Sequence, residues 1–365
     1  MSENMLLKLK DFGQSVWLDN ISREILRNGE MKRMFDEDGI TGFTSNPTIF
    51  QKAMASGDLY DADMEAYASV GMTTDQIFEK LAVADIKDGL DLLRPVYDRT
   101  EGRDGFGSME VSPYLAHDTS GSIDQARHIF EIVDRPNLMV KIPAAPEGIP
   151  AIEELIAEGH NINVTLIFSL HAYEQVAEAY IKGLERFVAQ GGDPSRVASV
   201  ASFFVSRVDT LVDKKLAGRP EEEALRGKAG IANSKMAYSL FQHIFSGPRW
   251  EALAAHGARV QRVLWASTST KDPRYPDTMY ADALIGPDTV DTMPDQTVVA
   301  FRDHGHPALT ITQGLDQAVK DVAALEAIGI HMKDVTQELL DAGIQSFSDS
   351  FDKLLADLSM KIVQA

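Results

Sequence analysis

Lys141 and Glu110 interrupt short apolar runs that are otherwise typical of buried strands. Lys141 stands in "LMVKIPA" and Glu110 stands in "FGSMEVS". Because lysine and glutamate are almost never fully buried without a partner, one interpretation is a buried ion pair between the two. Such a pair adds little stability once the lost hydration is counted. A chemical role for both residues is therefore an attractive alternative.

A lysine in apolar surroundings favours the neutral amine, because burial penalises the charged ammonium. A neutral amine attacks a ketone or an aldehyde to give a Schiff base. The protonated imine then accepts electrons, so that an adjacent carbon–carbon bond can break or form. Nearby carboxylates would carry the protons, one for dehydration of the carbinolamine and one at the hydroxyl beside the breaking bond. The pattern predicts Schiff-base chemistry on Lys141 that needs no metal or cofactor.

Other polar residues also stand inside or just after apolar runs: Asp19, Asn46, Asn163, Thr165, Ser202 and Arg207. Taken singly, several have structural explanations. Asp19 could cap a helix, Asn46 could belong to a turn, and Thr165 suits a strand. Ser202 could bond a neighbouring backbone group, and Arg207 could be a solvated residue at a strand end. Only their convergence on one site would favour chemistry.

Eight apolar runs supply the candidate strands, at 15–19, 40–46, 106–112, 138–144, 162–169, 197–206, 262–268 and 289–294. Most are followed by a helix-periodic segment, as at 122–135, 149–159 and 169–192. This alternation predicts an α/β protein with a parallel sheet. A closed (β/α)8 barrel fits a single domain over 1–365 and would gather the polar residues at the carboxyl ends of its strands. An open doubly wound sheet competes, but we find no GxGxxG after the first strand and no P-loop.

An apolar stripe with 3,4,3,4 spacing lies near the end of the chain. It consists of Ile344, Phe347, Phe351, Leu354 and Leu358. A coiled-coil seam would show the same spacing, but two heptads are few for one. We expect instead that this helix docks on the domain.

Composition excludes several classes of function. The 365 residues carry a formal net charge of -20, which argues against nucleic-acid or anionic-membrane partners but not against small anions. No cysteine is present, so disulfides, thiolate nucleophiles and cysteine metal sites are excluded. The nine histidines form no HExxH pair, and we predict no metal site. With no apolar run long enough for a signal peptide or a membrane span, we expect a cytoplasmic protein, either a monomer or a homo-oligomer.

Several segments together resemble one known family. They are "VWLDNISR", "GITGFTSNPTIF", "MEVSP", "NLMVKIPAAPEG", "NINVTLIFS", "ASFFVSRVD" and "LWASTSTKDP", which cover nearly the whole chain in the family's order. On these motifs the sequence resembles the transaldolase family in its longer bacterial form. The resemblance implies an eight-stranded α/β barrel with its last helix packed near the site.

The reaction implied by this resemblance belongs to the non-oxidative pentose phosphate pathway. A three-carbon dihydroxyacetone unit passes from sedoheptulose 7-phosphate or fructose 6-phosphate to glyceraldehyde 3-phosphate or erythrose 4-phosphate. By the resemblance, Lys141 forms the Schiff base, and Glu110 works with Thr165 and an ordered water in imine formation. Asp19 takes and returns the proton of the C4 hydroxyl.

The resemblance also assigns substrate contacts. Asn46 and Asn163 would hold the dihydroxyacetone hydroxyls, with Thr44 near by. Ser202 and Arg207 match the region that binds the substrate phosphate. Many family members carry a second phosphate-binding arginine shortly after the seventh strand.

Lys271 stands where that second arginine is expected, in "ASTSTKDP". A lysine holds phosphate as a point charge but cannot make arginine's two-pronged contact. Lys271 either replaces the arginine or is a solvated loop residue.

Three other functions stay open at this point. A class I aldolase would use the same imine but release free dihydroxyacetone. A sugar-phosphate isomerase would use Glu110 as a base without an imine, since a barrel alone does not fix chemistry. In a binding or scaffold protein, Lys141 and Glu110 would form only a structural ion pair.

Overall fold

The computed structural model describes residues 3–364 and contains one closed barrel of eight parallel strands, in the order β1 to β8. The strands are β1 Gln14–Leu18, β2 Ile40–Phe43, β3 Phe106–Glu110, β4 Leu138–Pro143, β5 Ile162–Ile167, β6 Ser199–Phe204, β7 Arg262–Ala266 and β8 Thr289–Met293. Each overlaps one of the eight predicted runs. The predicted (β/α)8 barrel is therefore confirmed, and the open sheet is wrong.

Helices surround this barrel and follow most of its strands. They are α1 Arg23–Arg27, α2 Glu30–Glu37, α3 Pro47–Ala55, α4 Asp61–Ser69, α5 Thr74–Arg99, α6 Thr119–Val133, α7 Gly148–Ala157, α8 Leu170–Ala189, α9 Ser206–Leu216, α10 Glu222–Leu225, α11 Ala229–Ile244, α12 Pro248–Ala255, α13 Met279–Ala283, α14 Asp295–His304, α15 Leu315–Ala327 and α16 Met332–Gln364. Short 3-10 helices cover Met5–Phe12, Pro113–Leu115 and Pro194–Arg196. The three helix-periodic segments named above correspond to α6, α7 and α8.

Apolar side chains fill the interior of the barrel toward its amino-terminal end: Trp17, Phe106, Met139, Val200, Leu264 and Val290. Trp17 is the largest of them and packs against the Phe106 ring, with 6.3 Å between the ring centroids. It requires glycine at position 42, because a Cβ there would lie 2.6 Å from the indole. Asp104 accepts a hydrogen bond from the indole nitrogen at 2.8 Å. These apolar side chains form a plug at the amino-terminal side of the barrel interior. The polar residues further along the strands therefore face the carboxyl end.

The long helix α16 docks on the barrel through the apolar stripe predicted for it. Phe347, Phe351, Leu354 and Leu358 are buried, and Ile344 is partly buried. The stripe is therefore covered by the rest of the chain, as expected, and is not a free coiled-coil seam. The fold places α16 across the carboxyl end of the barrel.

Polar contacts hold α16 at two neighbouring helices. Gln51 of α3 donates to Asp357 at 2.8 Å, and Lys215 of α9 donates to Glu338 at 2.7 Å. Contacts of this kind, exposed or only partly buried, add about 1 kcal/mol or less each. The buried stripe therefore supplies most of the docking energy, and the polar pairs fix the direction of the helix.

Candidate active site

A cavity of about 560 Å³ opens at the carboxyl ends of the strands. Eight of the ten residues proposed from sequence line it: Asp19, Thr44, Asn46, Lys141, Thr165, Ser202, Arg207 and Lys271. The other two adjoin residues of this set, since Glu110 lies beside Lys141 and Asn163 is bonded to Ser202. The fold therefore brings all ten residues to one end of the barrel, where enzymes of this architecture carry their chemistry.

Lys141 lies in β4 with its amine at the cavity. Its Nζ donates to the backbone carbonyl of Ser45 at 2.8 Å and lies 3.5 Å from Oε2 of Glu110. The two side chains are only 6% and 8% exposed. Their contact follows from the strand register, because Glu110 of β3 pairs directly with Lys141 of β4. The amine thus has a carboxylate and a backbone acceptor within the protein.

The carboxyl of Glu110 is buried next to the amine. Burial raises the pKa of its carboxyl above the usual range, and the attraction of Lys141 only partly opposes this. Its side chain borders a smaller cavity of about 140 Å³, which Ser112 and Gln125 also line. A carboxyl with a raised pKa is suited to giving and taking protons near neutral pH.

Asp19 follows β1 directly and lies close to Thr44. The Thr44 hydroxyl donates to its Oδ1 at 2.7 Å and also lies 2.7 Å from the hydroxyl of Thr292. Burial raises the pKa of Asp19, while the Thr44 hydrogen bond and Lys141 act in the opposite direction. The helix-cap interpretation of Asp19 is wrong, since Ser22 caps α1 instead.

Asn46 has a structural function in addition to its place at the cavity. Its side-chain oxygen accepts from the backbone N–H of Ile49 at 3.0 Å and caps α3, which starts at Pro47. An asparagine before a proline at the first helical position is a favoured helix start. The amide nitrogen of Asn46 takes no part in this cap, so it is available to other contacts.

The Thr165 hydroxyl is buried and has no hydrogen-bond partner among the described residues. It belongs to β5, whose pairing with β6 becomes irregular between Val164 and Ile167. Leu166 in this bulge has a φ of 58°, a strained conformation for leucine. Strain of this kind gathers at functional sites because the surroundings hold it in place. An unpartnered hydroxyl therefore borders the cavity next to a strained backbone position.

Asn163 joins two serines in a buried chain of hydrogen bonds. Its amide nitrogen donates to the Ser108 hydroxyl at 3.0 Å, and its amide oxygen accepts from Ser202 at 2.7 Å. The register sets Asn163 opposite Lys141 in the neighbouring strand. Because the amide is bonded on both sides, its orientation is fixed.

Arg207 lies at the start of α9 between two aromatic rings. Its guanidinium carbon is 5.3 Å from the Phe204 ring centre and 5.9 Å from that of Phe347. Phe347 also lies 6.0 Å from Nζ of Lys141, within the range of cation–π attraction. Burial lowers the pKa of Arg207. One ring of α16 thus covers both the amine and the arginine.

Lys271 adds a second cation to the cavity and donates to the Ser269 hydroxyl. Partial burial, and then the positive charge of Arg207, lower the pKa of Lys271. Lys52 of α3 also lines the cavity and acts on Lys271 in the same direction. Arg207, Lys271 and Lys52 thus give the cavity a cationic wall in a chain of strongly negative net charge.

Several residues at the site were missed by sequence reasoning. Ser108 stands two positions before Glu110 in β3, so the strand period could have placed it on the same face. Phe347 was predicted to dock, but no pattern placed its ring over Lys141. Ser45 acts through its backbone carbonyl and Lys52 lies on a helix, so neither gives a sequence signal.

The described residues, 3–364, lack two kinds of feature. No helix among them combines the length and apolar character needed to cross a membrane. No group of three or more histidine or acidic side chains in this part of the chain is arranged to hold a metal ion.

Comparisons with known proteins give one consistent result. The family model described as transaldolase/fructose-6-phosphate aldolase matches residues 16–358. Transaldolase 2 of Nostoc sp. is 46% identical over 375 aligned residues, which cover 99% of this chain and 98% of the relative. The transaldolase of Parafrankia sp. is 50% identical over 353 residues, 96% of each chain. The transaldolase of Thiobacillus denitrificans is 45% identical over 357 residues, 97% of this chain and 99% of the relative.

Proposed function

Because the chain belongs to the transaldolase/fructose-6-phosphate aldolase family, we propose that it is a transaldolase acting through a Schiff base on Lys141. The donor is sedoheptulose 7-phosphate or fructose 6-phosphate, and the acceptor is glyceraldehyde 3-phosphate or erythrose 4-phosphate. The reaction belongs to the non-oxidative pentose phosphate pathway.

One observation carries the proposal: a buried lysine amine borders a cavity within 3.5 Å of a buried carboxyl. An ion pair with only a structural function could be fully enclosed by packed side chains and would need no cavity beside it. Here the amine is accessible to a small molecule, while Glu110 is placed to exchange protons with it directly or through one water. That combination suits attack on a ketone better than it suits a purely structural role.

Imine formation uses Lys141, Glu110 and Thr165. The neutral amine attacks the C2 carbonyl of the ketose, and the resulting carbinolamine loses its hydroxyl as water. Glu110 gives the proton for this loss through a water that the Thr165 hydroxyl orients. The raised pKa of Glu110 favours the protonated carboxyl that this step requires.

Carbon–carbon cleavage uses Asp19. Its carboxylate takes the proton of the C4 hydroxyl, the C3–C4 bond breaks, and the electron pair moves into the protonated imine to give an enamine. The aldose phosphate leaves, an acceptor aldehyde enters, and the same steps run backwards with Asp19 returning the proton. Thr44 holds Asp19 through its hydrogen bond, while Asn46 and Asn163 hold the hydroxyls of the three-carbon unit.

The substrate phosphate binds at the cationic wall, where Arg207, Ser202 and Lys271 line the cavity. The guanidinium between two rings is poorly hydrated, so an incoming phosphate displaces little water from it. Lys271 contributes a point charge from the loop after β7 in place of the arginine expected there.

The family description also includes an aldolase, which favours one alternative activity: release of free dihydroxyacetone. Both reactions pass through the same enamine, so they differ in whether a proton or an acceptor aldehyde reaches it. Phe347 covers the amine and limits access of water to the enamine. This cover favours transfer over release.

Borohydride reduction in the presence of fructose 6-phosphate, followed by intact mass and peptide mapping, tests the proposal. We expect a three-carbon or whole-substrate adduct on Lys141, and depletion of the three-carbon adduct when erythrose 4-phosphate is added first. Lys141→Met should abolish the adduct and Lys271→Met should retain it. A folded protein that gives no adduct would exclude the imine and leave an isomerase or a structural ion pair. An adduct insensitive to the acceptor would indicate an aldolase.

A further inference from the structure

A second cavity of about 560 Å³ opens at the opposite, amino-terminal end of the barrel. Its wall comes from the segments that lead into the strands, including Gly13 before β1, Ala198 before β6 and Asp288 before β8. Three arginines line it: Arg103, Arg259 and Arg262. We call this the basal arginine cavity. It shares no lining residue with the cavity around Lys141.

Arg262 is bonded to neighbouring side chains. It donates to the Ser15 hydroxyl at 2.7 Å and lies 3.5 Å from Oδ1 of Asp104. Asp104 also accepts from Trp17 and Thr41. This network joins Arg262 to the apolar plug, and it gives Arg262 a structural function.

The hydrogen-bonding capacity of Arg259 is only partly used. Its Nη2 donates to the carbonyl of Glu101 at 2.8 Å, but its Nη1 is buried and has no hydrogen-bond partner among the described residues. A buried guanidinium N–H without an acceptor has lost its hydration and gained nothing in return, which is unfavourable. The nitrogen belongs to a residue that lines a cavity large enough for a ligand.

Charge accumulates around Arg259 in the same region. Burial, and then the positive charges of Arg103 and Arg196, lower the pKa of Arg259. Among the described residues, no carboxylate forms a salt bridge with Arg103, Arg196 or Arg259. Asp288 is the acidic residue in the cavity wall, and Asp193 lies near Arg196 and Arg259. Positive charge therefore exceeds negative charge here, in a chain with a net charge of -20.

We propose that the basal arginine cavity is a second anion-binding site that takes a ligand of the phosphate class with at least two negative charges. Arg259 donates to a phosphate oxygen at the floor of the site, after a small shift of its side chain opens the shielded, unpartnered N–H to the cavity. Arg103, at the exposed rim, supplies a second charge-assisted contact. Guanidinium groups suit this task, because their paired N–H donors match the oxygens of a phosphate.

Binding would relieve two costs of the empty fold at once. It would supply an acceptor to the Arg259 nitrogen, and it would neutralise the repulsion among neighbouring arginines. The ligand should therefore stabilise the folded chain in proportion to its occupancy. Added salt should weaken binding, since the rim is exposed to screening ions.

Calorimetric titration of the full chain with pyrophosphate at low salt is the direct test. The active-site cavity also binds phosphate under the proposed function, so the titration is done in an Arg207→Ala, Lys271→Met background. In this background we expect one pyrophosphate site, which Arg103→Gln weakens about ten-fold or more and Arg103→Glu abolishes. Arg27→Gln, at an exposed arginine on α1, is the matched control and should bind like the background. Arg103 is exposed, so its variants should fold normally.

Further arms identify the source of the phosphate group and the location of the site. Tighter binding of pyrophosphate than of inorganic phosphate supports a ligand with several charges, and competition by fructose 6-phosphate supports a phosphorylated metabolite. In crystals soaked with tungstate, anomalous scattering should place the metal beside Arg259. Equal pyrophosphate binding by Arg103→Gln and Arg27→Gln overturns the proposal. So does binding no tighter than that of chloride. Neither result would affect the imine on Lys141, which borohydride trapping tests separately.

Discussion

Replacing Thr165 by valine should separate catalysis from stability in this protein. Valine keeps the shape of threonine and removes only the hydroxyl. That hydroxyl is buried without a partner among the described residues, so no hydrogen bond within the protein is lost. Under the proposed mechanism, however, it orients the water that joins Glu110 to the carbinolamine. Thr165→Val should therefore lower activity while leaving the fold at least as stable as before.

The expected sizes follow from the two environments. A buried polar group without a partner costs about 1–3 kcal/mol, so the free energy of unfolding should stay constant or rise by up to about 2 kcal/mol. Because unfolding 365 residues changes the entropy by about 0.8 kcal/mol/K, this corresponds to about 2–3 °C in Tm. Loss of the oriented water should lower kcat by about 10- to 100-fold, less than complete loss of acid–base catalysis, since Glu110 remains.

Thr289 offers a matched control at the other end of the barrel. Its buried hydroxyl donates to the Gly286 carbonyl at 2.6 Å and accepts from Gln14 at 3.0 Å. Thr289→Val breaks both bonds and should lower the free energy of unfolding by about 1–3 kcal/mol, with kcat unchanged. Urea denaturation would measure stability, and single-turnover borohydride trapping would measure the rate of imine formation in both variants.

Two outcomes would refute the reasoning. Imine formation at the unchanged rate in Thr165→Val would remove Thr165 from the proton path. A loss of stability equal to that of Thr289→Val would mean that the Thr165 hydroxyl supports the fold, and that its lack of a protein partner was misread.

Three further predictions concern other carboxyls and cations. Asp19→Asn should still form the imine but lose about 10²- to 10⁴-fold in turnover, so the trapped adduct should accumulate; turnover at the unchanged rate would reassign the cleavage base. Arg207→Ala should raise KM for fructose 6-phosphate by about 30- to 100-fold and leave KM for unphosphorylated fructose unchanged, and equal losses on both would argue against a phosphate contact. Burial raises the pKa of Asp291 to about 7, against the opposing hydrogen bond from Thr268. A raised pKa gives stability that is complete below about pH 4 and is lost as pH rises through about 7. The free energy of unfolding of Asp291→Asn, measured relative to the unchanged protein, should therefore be up to about 4 kcal/mol higher at pH 8 than at pH 4. Parallel curves of stability against pH for the two proteins would contradict this.

Sequence reasoning reached the strands and their polar ends because both rest on local patterns. A charged residue in a fully buried strand is expensive unless something compensates for it, so Lys141 and Glu110 were visible without any structure. Their contact required only that two consecutive strands be neighbours in the barrel, which is the usual case for this alternation. The roles of the individual residues came from the resemblance and still await the experiments above.

Contacts made by the backbone or by distant helices left no such signal. The carbonyl of Ser45 accepts from Lys141 because the turn between β2 and α3 lies over the end of β4, and nothing in the residue type indicates this. Phe347 reaches the amine from a helix about 200 positions away. The basal arginine cavity joins Arg103 and Arg259 from segments that are also far apart in the sequence. Patterns of period 2 or 3.6 cannot describe such meetings, because they depend on how the whole barrel closes.

The two ends of the barrel differ in how their charged groups are compensated. At the carboxyl end, the charges of Lys141, Glu110 and Asp19 partly compensate one another, and burial holds the two carboxyl groups at a raised pKa. The carboxyls can therefore change their charge during a reaction. At the amino end the positive charge is carried by guanidinium groups, which stay protonated in proteins, so a bound anion would compensate the charge that the nearby carboxylates leave in excess. The difference in residue type predicts proton transfer at one end and ligand binding without chemistry at the other.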